Sequence, residues 1–470
     1  ASVEMVAPLK DLDWPDLSSI SESHICCVPG TKIVTKRGVV NIESVTEADE
    51  VMTHKGRWRR VSKVMSRTVS DGVACVSAKG LESLRVTGNH PVYAARYGQN
   101  RSHVREYKNT EWVDASKLIA KRTKYQRGDF HAATIPILEA GGKGTLRLSE
   151  WVKGKRFSTF EHGEELKHTH PMCNPLPKEV GFTEALGRLV GYYLAEGTAW
   201  HGQVRFSFSE KETDYVATVQ EDLKTVFGVD SHIEGNGDCH TSTVVCQNAM
   251  LCELFDSGRQ NERIVPEWAW AGGKRFFAAM LAAWVNGDGN RDGGRIRVTT
   301  ASESLAWGMR LVAILCGKEA SVRQFAQKPS KINGRPIRES MGYVVSWNEA
   351  NERRGSYRID GPHLTTTIQS VEEEPYQGQV FNLEVEEDQS YLTTGGTVHN
   401  CAAFGVPPLM IHVRVAQENS PLSSPNLEAA EQVFFRTTMT SLWLHSSYAL
   451  TRGLLLNDGY DTTIPLRHDT

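Results

Sequence analysis

Two apolar segments constrain the fold of this 470-residue chain more than any other feature. One runs from Glu184 to Gly197 and the other from Phe276 to Gly289, and each reads as a short apolar helix ending in an acid followed by glycine. Gly187 and Gly191 in the first, and Ala279 and Ala283 in the second, are four residues apart and share a helix face, so the two helices can approach closely through them. Gly197 and Gly289 are then expected to end the helices in the left-handed conformation. The acids are anomalous for a helix on its own. A carboxylate at a helix C-terminus is opposed by the macrodipole, where a cation would gain about 0.3–1 kcal/mol. Packed in parallel, the helices bring Glu196 and Asp288, 92 residues apart in sequence, together at two negative helix ends. Such a pair makes sense around divalent cations, because oxygen-only ligands suit Mg²⁺ or Mn²⁺ and in-line phosphodiester hydrolysis. Taken singly, each segment also reads as a core helix with an exposed terminal acid.

The second informative feature lies at two seams. Near the start, Cys26 and Cys27 are adjacent, and a strand-like run over 31–35 ends in the turn Lys36, Arg37, Gly38 before a strand restarts at Val39. Near the end, strand-like alternation through 380–385 is followed by Tyr391 and Leu392, a glycine pair, and Val398, His399, Asn400, Cys401. A lone cysteine is usually a small buried hydrophobe. At a segment boundary it can do more: the Cys27 thiol can attack the Cys26 carbonyl and convert the amide to a thioester. That step needs donors for the developing oxyanion and a proton for the leaving amine. Thr87 and His90, three residues apart after the strand-like stretch 84–86, offer a hydroxyl and an imidazole. At the far seam the Asn400 side-chain amide can attack its own carbonyl and cut the Asn400–Cys401 bond, with His399 as proton donor. A strand-end turn is the bland alternative for Thr87 and His90.

These residues carry a resemblance. The run Cys27, Val28, Pro29, Gly30, Thr31 resembles the first splicing block of inteins; Thr87, Gly88, Asn89, His90 resembles their TxxH block; and 380–385 with His399, Asn400, Cys401 resembles their two C-terminal blocks. The resemblance implies a horseshoe-like all-β splicing domain assembled from both ends of residues 27–400. It also implies acyl transfer from Cys27 to Cys401, cyclisation of Asn400, and a final shift that joins Cys26 to Cys401, with no cofactor. Asn382 stands where the family commonly has Asp, and Gln389 where many members have His. The helix pair, Leu189 to Gly197 and Leu281 to Gly289, resembles the LAGLIDADG helices of homing endonucleases, which implies a pseudo-twofold α+β nuclease acting on double-stranded DNA. Ala283 replaces the more usual Gly and is expected to cost close packing. Arg263 sits where that family often has Lys. Strand-like stretches at 204–209 and 295–300 and a helix over 302–316 fit a degenerate repeat.

Length and charge set the organisation. At roughly 150 residues per domain the chain holds about three, and the 374 residues of 27–400 exceed what one splicing domain needs. The expected order is an N-terminal flank, 1–26; the first part of the splicing domain, 27–140; the endonuclease, 141–350; the second splicing part, 351–400; and a mainly helical flank, 401–470. A formal net charge of −3 excludes a polycation but hides local basic stretches. Residues 98–157 carry 13 Lys/Arg against 6 Asp/Glu and 323–358 carry 8 against 3, which suits a duplex substrate. No stretch approaches the ~18 apolar residues of a membrane span. The start lacks a signal-like apolar core, so the nine cysteines read as reduced thiols of a monomeric cytoplasmic protein. His168, His170 and Cys173 tempt a zinc reading without a second pair at a recognised spacing, and fit a loop or hinge better; Asp238, Cys239 and His240 are a weaker case. Joined, the flanks resemble a fragment of a tailed-bacteriophage portal protein through CAAFGVPP and the helix after it, implying a phage or prophage gene in a bacterial host. Two further readings stay open: a structural portal fragment with an inactive insertion, and a splicing element whose nuclease survives only as a DNA-binding remnant.

Overall fold

The computed structural model describes residues 25–400, less 71, 100–104, 122–127, 142–143, 155–157, 170–172, 237–239, 259–260, 328–329, 333–334, 338–339 and 350–356. Residues 1–24 and 401–470, and with them Cys401 and the portal resemblance, lie outside the described residues, as do His170, Asp238 and Cys239. Ile25–Asn400 form one compact unit. No helix among the described residues is long and apolar enough to cross a membrane.

Strands from both ends of this unit build one fourteen-stranded antiparallel sheet. Nine lie between Lys32–Thr35 and Phe130–Pro136, and five between Tyr357–Asp360 and Gly396–His399. Late strands insert among early ones: Gly378–Val385 pairs Trp58–Val69, Ser390–Thr393 pairs Lys32–Thr35, and Gly396–His399 pairs Pro91–Gln99. The long strand His363–Glu374 pairs Phe130–Pro136 along its first half and Val73–Ala78 along its second, with a register shift between Ile368 and Ser370 that bends it from one partner to the other. Alternating Val, Ile and Leu side chains of these strands close around Ile33, Val86, Ile368, Leu383 and Tyr391 in a core that also holds Cys27.

The intervening residues form two lobes of the same make-up. The first is α1 (Glu184–Glu196), strands Gly197–Trp200 and Gln203–Ser209, α2 (Thr213–Phe227), and strands His232–Asn236 and Thr241–Gln247, followed by α3 (Ala249–Phe255). The second is α4 (Lys274–Asp288), strands Gly289–Asp292 and Arg295–Thr300, α5 (Glu303–Leu315), and strands Ser321–Gln327 and Ser340–Asn348. Each four-stranded sheet runs first, second, fourth, third in chain order. The side chains of Thr183 and Ser302 cap α1 and α5, accepting from Leu186 N and Leu305 N at 3.2 Å each.

Helices α1 and α4 pack through their small residues, in parallel. A Cβ at Gly187 would lie 2.3 Å from the Phe276 carbonyl, one at Gly191 2.3 Å from that of Met280, and one at Gly287 2.5 Å from Ala195 Cβ. Ala283 does not cost the expected closeness, because Gly191 lies opposite and receives its methyl. Gly197 and Gly289 are not left-handed: φ is −90° and −85°, and each opens a strand directly. Glycine is demanded there by space, since a Cβ would meet the Tyr193 carbonyl at 2.6 Å or that of Val285 at 2.2 Å.

Two further features join the lobes to the sheet or stand between them. Residues 145–181 form a small unit of short strands before α1, including the hairpin of Thr159–His162 with Glu165–His168, so His168 is in a strand and not a loop. The lobes and the sheet also share one hydrophobic core: Val34, Met52 and Trp58 of the sheet pack with Trp270, Trp307 and Leu311 of the lobes. At this joint the Trp58 and Trp270 rings lie 5.1 Å apart, Val39 N donates to Ser304 Oγ at 2.8 Å, and Lys32 Nζ bridges Glu82 and Glu303 at 2.9 and 2.7 Å.

Candidate functional site

The sheet brings the two seams together. Cys27 lies between early and late strands, exchanging backbone hydrogen bonds with Phe381 at 2.8 Å in both directions and bridging Val86. Cys26 is gripped by Thr87: its N–H donates to Thr87 Oγ1 at 3.0 Å, and its carbonyl accepts from Thr87 N at 2.9 Å. The Cys26 carbonyl therefore already has a backbone donor on its oxygen, which is what a developing oxyanion there would require. Thr87 was expected to act through its hydroxyl, but its backbone N–H is the group aimed at the reacting atom.

His90 joins the seams. It is fully buried, and its Nε2 lies 3.2 Å from the His399 carbonyl. A carbonyl only accepts, so Nε2 carries the proton and Nδ1 keeps its lone pair. Burial pushes the ring down to about 3, against the opposing pull of the Cys26 and His399 backbone. His90 is thus a neutral imidazole whose Nδ1 has no hydrogen-bond partner among the described residues, at the backbone of the first seam.

The far seam is held as tightly. Asn400 N donates to the Gln389 carbonyl at 2.8 Å, so Gln389, in the left-handed region at φ 49°, serves through its backbone while its side chain is exposed. Asn400 Nδ2 donates to the Val385 carbonyl at 3.3 Å, and its Oδ1 has no partner among the described residues. His399 Nδ1 lies 2.7 Å from the Asn400 carbonyl oxygen, with its ring edge-on to Trp112 at 4.8 Å. A proton on that nitrogen would polarise the Asn400 carbonyl.

The thiol itself is quiet. Cys27 is fully buried, and desolvation pushes it up to about 12, with the Tyr391 hydroxyl, 3.5 Å from Sγ, opposing. Tyr391 also donates to Asn382 Oδ1 at 2.9 Å. The sequence gives no hint of these two residues beyond Asn382 standing where Asp is usual and Tyr391 following soon after, because Tyr391 lies 364 positions from the Cys27 that it meets.

The acid pair lies at the parallel ends of α1 and α4. Burial first, then the charges of Asp288 and Glu212, push Glu196 up to about 7, with Arg263 opposing. Asp288 reaches solvent at the rim of a cavity lined by Leu194, Ala195, Arg263, Thr299 and Leu305; the surrounding protein pushes it up to about 6, again against Arg263. Arg263 is buried and directs its donors elsewhere: to the α1 carbonyls of Tyr193 and Leu194 at 3.3 and 2.9 Å and to Gly197 O at 2.6 Å. It therefore takes up the orphan carbonyls at the end of α1 and offsets the local negative end without pairing either acid. Two raised carboxylates on hard oxygen atoms fit a divalent cation, which would relieve their repulsion. No group of three or more His, Cys, Asp or Glu placed to hold a metal occurs among the described residues. Cys173 Sγ instead bonds Asn248 Oδ1 at 3.5 Å, and His240 pairs with Glu210 at 3.2 Å.

Residues 25–123 match the model of the Hint domain. Over 83% of its length the chain is 26% identical to the ATP-dependent DNA helicase Hel308 of Thermococcus kodakarensis, covering 37% of that protein. Over 81% it is 24% identical to an uncharacterized protein of Methanocaldococcus jannaschii, covering 51% of it. Over 80% it is 27% identical to an iron-sulfur cluster assembly SufBD family protein of Mycobacterium tuberculosis, covering 43% of it. The chain thus spans about half or less of the length of these curated relatives. Among solved structures, that of I-DmoI in complex with DNA and Mn covers 36% of this chain and 92% of its own, at 14% identity and TM-score 0.26. The N-terminal LAGLIDADG domain of WhiA covers 35% of this chain and 74% of its own, at 9% identity and TM-score 0.23.

Proposed function

We propose that residues 27–400 excise themselves by protein splicing, joining Cys26 to Cys401, and that the lobes between the two halves of the splicing sheet are a metal-dependent endonuclease for double-stranded DNA. The observation that carries the splicing reading is the continuous set of contacts from Thr87 on the Cys26 carbonyl, through His90, to the His399 carbonyl, and from His399 to the Asn400 carbonyl. In the first step Cys27 Sγ bonds to the Cys26 carbonyl carbon and the Cys26–Cys27 C–N bond breaks. The thiol proton passes to the freed amine, with His90 Nδ1 as the buried base between them. Cys401 then takes the acyl group, releasing the Cys27 thiol. Asn400 Nδ2 attacks its own carbonyl, polarised by His399, and the Asn400–Cys401 bond breaks. The freed Cys401 amine finally captures the acyl group from sulfur, leaving an amide.

Similarity over some four fifths of this chain to a helicase and to an iron-sulfur assembly family protein supports an element that moves between unrelated hosts. The flanks are read as pieces of one such host, of phage portal type. For the nuclease, Glu196 and Asp288 would hold Mg²⁺ or Mn²⁺, which when bound supplies the charge neutralisation that phosphodiester hydrolysis needs. Arg263 fixes the end of α1 and so the direction of Glu196. The test is incubation of the purified chain at neutral pH with intact-mass detection. The expected products are a 374-residue element and the joined 96-residue flanks, lost in Cys27→Ala and Asn400→Ala. A stable full-length chain, unchanged by either substitution, overturns the splicing reading.

A further inference from the structure

The direction of every hydrogen bond around Asn382 is fixed by backbone groups. Its Nδ2 lies 2.6 Å from the Ile25 carbonyl, which can only accept, and its Oδ1 lies 2.7 Å from Leu383 N, which can only donate. The amide therefore has one orientation. Oδ1 then also takes the single hydroxyl proton of Tyr391 at 2.9 Å, which leaves the Tyr391 oxygen as an acceptor toward Cys27 Sγ at 3.5 Å. The sulfur is in turn the donor and must carry its proton. Each bond follows from the one before, beginning at Leu383 N–H and Ile25 C=O and ending at the thiol. All three side chains are buried, so water does not substitute for any of them.

We propose that Asn382 and Tyr391 are positioning residues for the first splicing step: together they hold Cys27 as a correctly aimed thiol and anchor the chain one residue before the scissile carbonyl. This rests on the splicing reading above. It also gives the departure at position 382 a physical meaning. An aspartate there would put two acceptors face to face across 2.6 Å at the Ile25 carbonyl, whereas asparagine supplies the donor. When Cys27 ionises, Tyr391 must turn its proton from Asn382 to the sulfur, and this exchange is what lets the hydroxyl favour the thiolate. Among titratable groups, Tyr391 and Cys26 face the thiol, while Arg67 reaches the Cys26 sulfur at 3.5 Å and His90 the Cys26 backbone.

The experiment isolates each half-reaction. In an Asn400→Ala background, dithiothreitol releases the N-terminal flank at a rate that reports the Cys27 step. Adding Tyr391→Phe, which keeps the buried ring, is expected to slow that release about tenfold at neutral pH and to move its pH profile alkaline by about one unit. Asn382→Asp, with Tyr391 intact, is expected to slow it as well, because it removes the donor to the Ile25 carbonyl. In a Cys27→Ala background, release of the C-terminal flank reports the Asn400 step, and Tyr391→Phe is expected to change it by a smaller factor. Equal loss in both half-reactions, or an unmoved pH profile, overturns the positioning role. If the Asn400→Ala parent releases no N-terminal flank with dithiothreitol, the splicing reading falls and this inference falls with it.

Discussion

The junction site and the acid pair are opposite solutions to building reactive groups into one protein. At the junction the described groups of the two seams are held by partners that the chain itself supplies: Thr87 on Cys26, His90 on His399, His399 on Asn400, and Tyr391 on Cys27. At the ends of α1 and α4 burial pushes two carboxylates up, the charge of Asp288 adding to it at Glu196, and the buried Arg263 beside them has its donors on backbone carbonyls. This second site is left incomplete in a way that a cation and an anionic backbone can complete. The contrast is between carboxylates pushed up by their surroundings and one that is neutralised. Asp388 shows what such neutralisation looks like: it accepts from Thr53 and Arg57 at 2.7 Å each and pairs with Lys55 at 3.1 Å, which hold its carboxyl well below the usual range despite burial.

The largest expected effect breaks the acid pair. Glu196→Gln or Asp288→Asn should lower Mg²⁺-dependent cleavage of DNA carrying the uninterrupted host junction by roughly 100-fold or more. The same substitutions should raise the urea midpoint of the metal-free protein, because removing one of two repelling charges relieves the pair. Cleavage that persists in both variants, or a lower midpoint, would remove the distinction drawn here between the two sites.

A middle-sized effect separates paired from unpaired carboxylates. Asp388→Ala should cost about 2 kcal/mol at neutral pH, the scale of hydrogen bonds to a charged group. Its folded-state pKa is depressed, so the stability it contributes is present above the unfolded carboxylate pKa of about 3.9 and is lost as pH falls through the folded value. The wild-type and Asp388→Ala stability curves, measured by denaturant unfolding, should therefore converge toward low pH. Parallel curves would show that the ion pairs contribute little.

The smallest effect probes the junction. Thr87→Ala removes the acceptor for Cys26 N–H and should cost about 1 kcal/mol while slowing thiol-induced release of the N-terminal flank. Here stability and reactivity fall together, the reverse of the acid pair. A variant that is more stable but slower would place Cys26 among the strained groups instead of the well-held ones.

Much of this was legible from local pattern. Helices α1 and α5, the strands Leu84–Val86 and Arg295–Thr300 and the close approach at Gly187 and Gly191 follow from periodicity, caps and residue size, all read within a few positions. Other features were not. The extended conformation of Gly197 and Gly289 depends on strands that start at once after each helix, and the strand holding His168 depends on the hairpin it forms with Thr159–His162. The shared core of sheet and lobes could not be anticipated, since Trp58 and Trp270 reveal nothing of each other in sequence.

By itself the sequence determined which residue types could react, because thiol, imidazole, amide and carboxylate chemistry belongs to the side chain, and it determined the helix pair, because helical spacing is local. Only the tertiary structure decided what each group meets. Strand register set Cys27 against Phe381 and Tyr391, and turned Thr87 so that its amide faces the Cys26 carbonyl. It also set Asn382 between Ile25 and Tyr391. Register between strands hundreds of residues apart is fixed by the packing of the whole core, and a short stretch of chain carries no record of it.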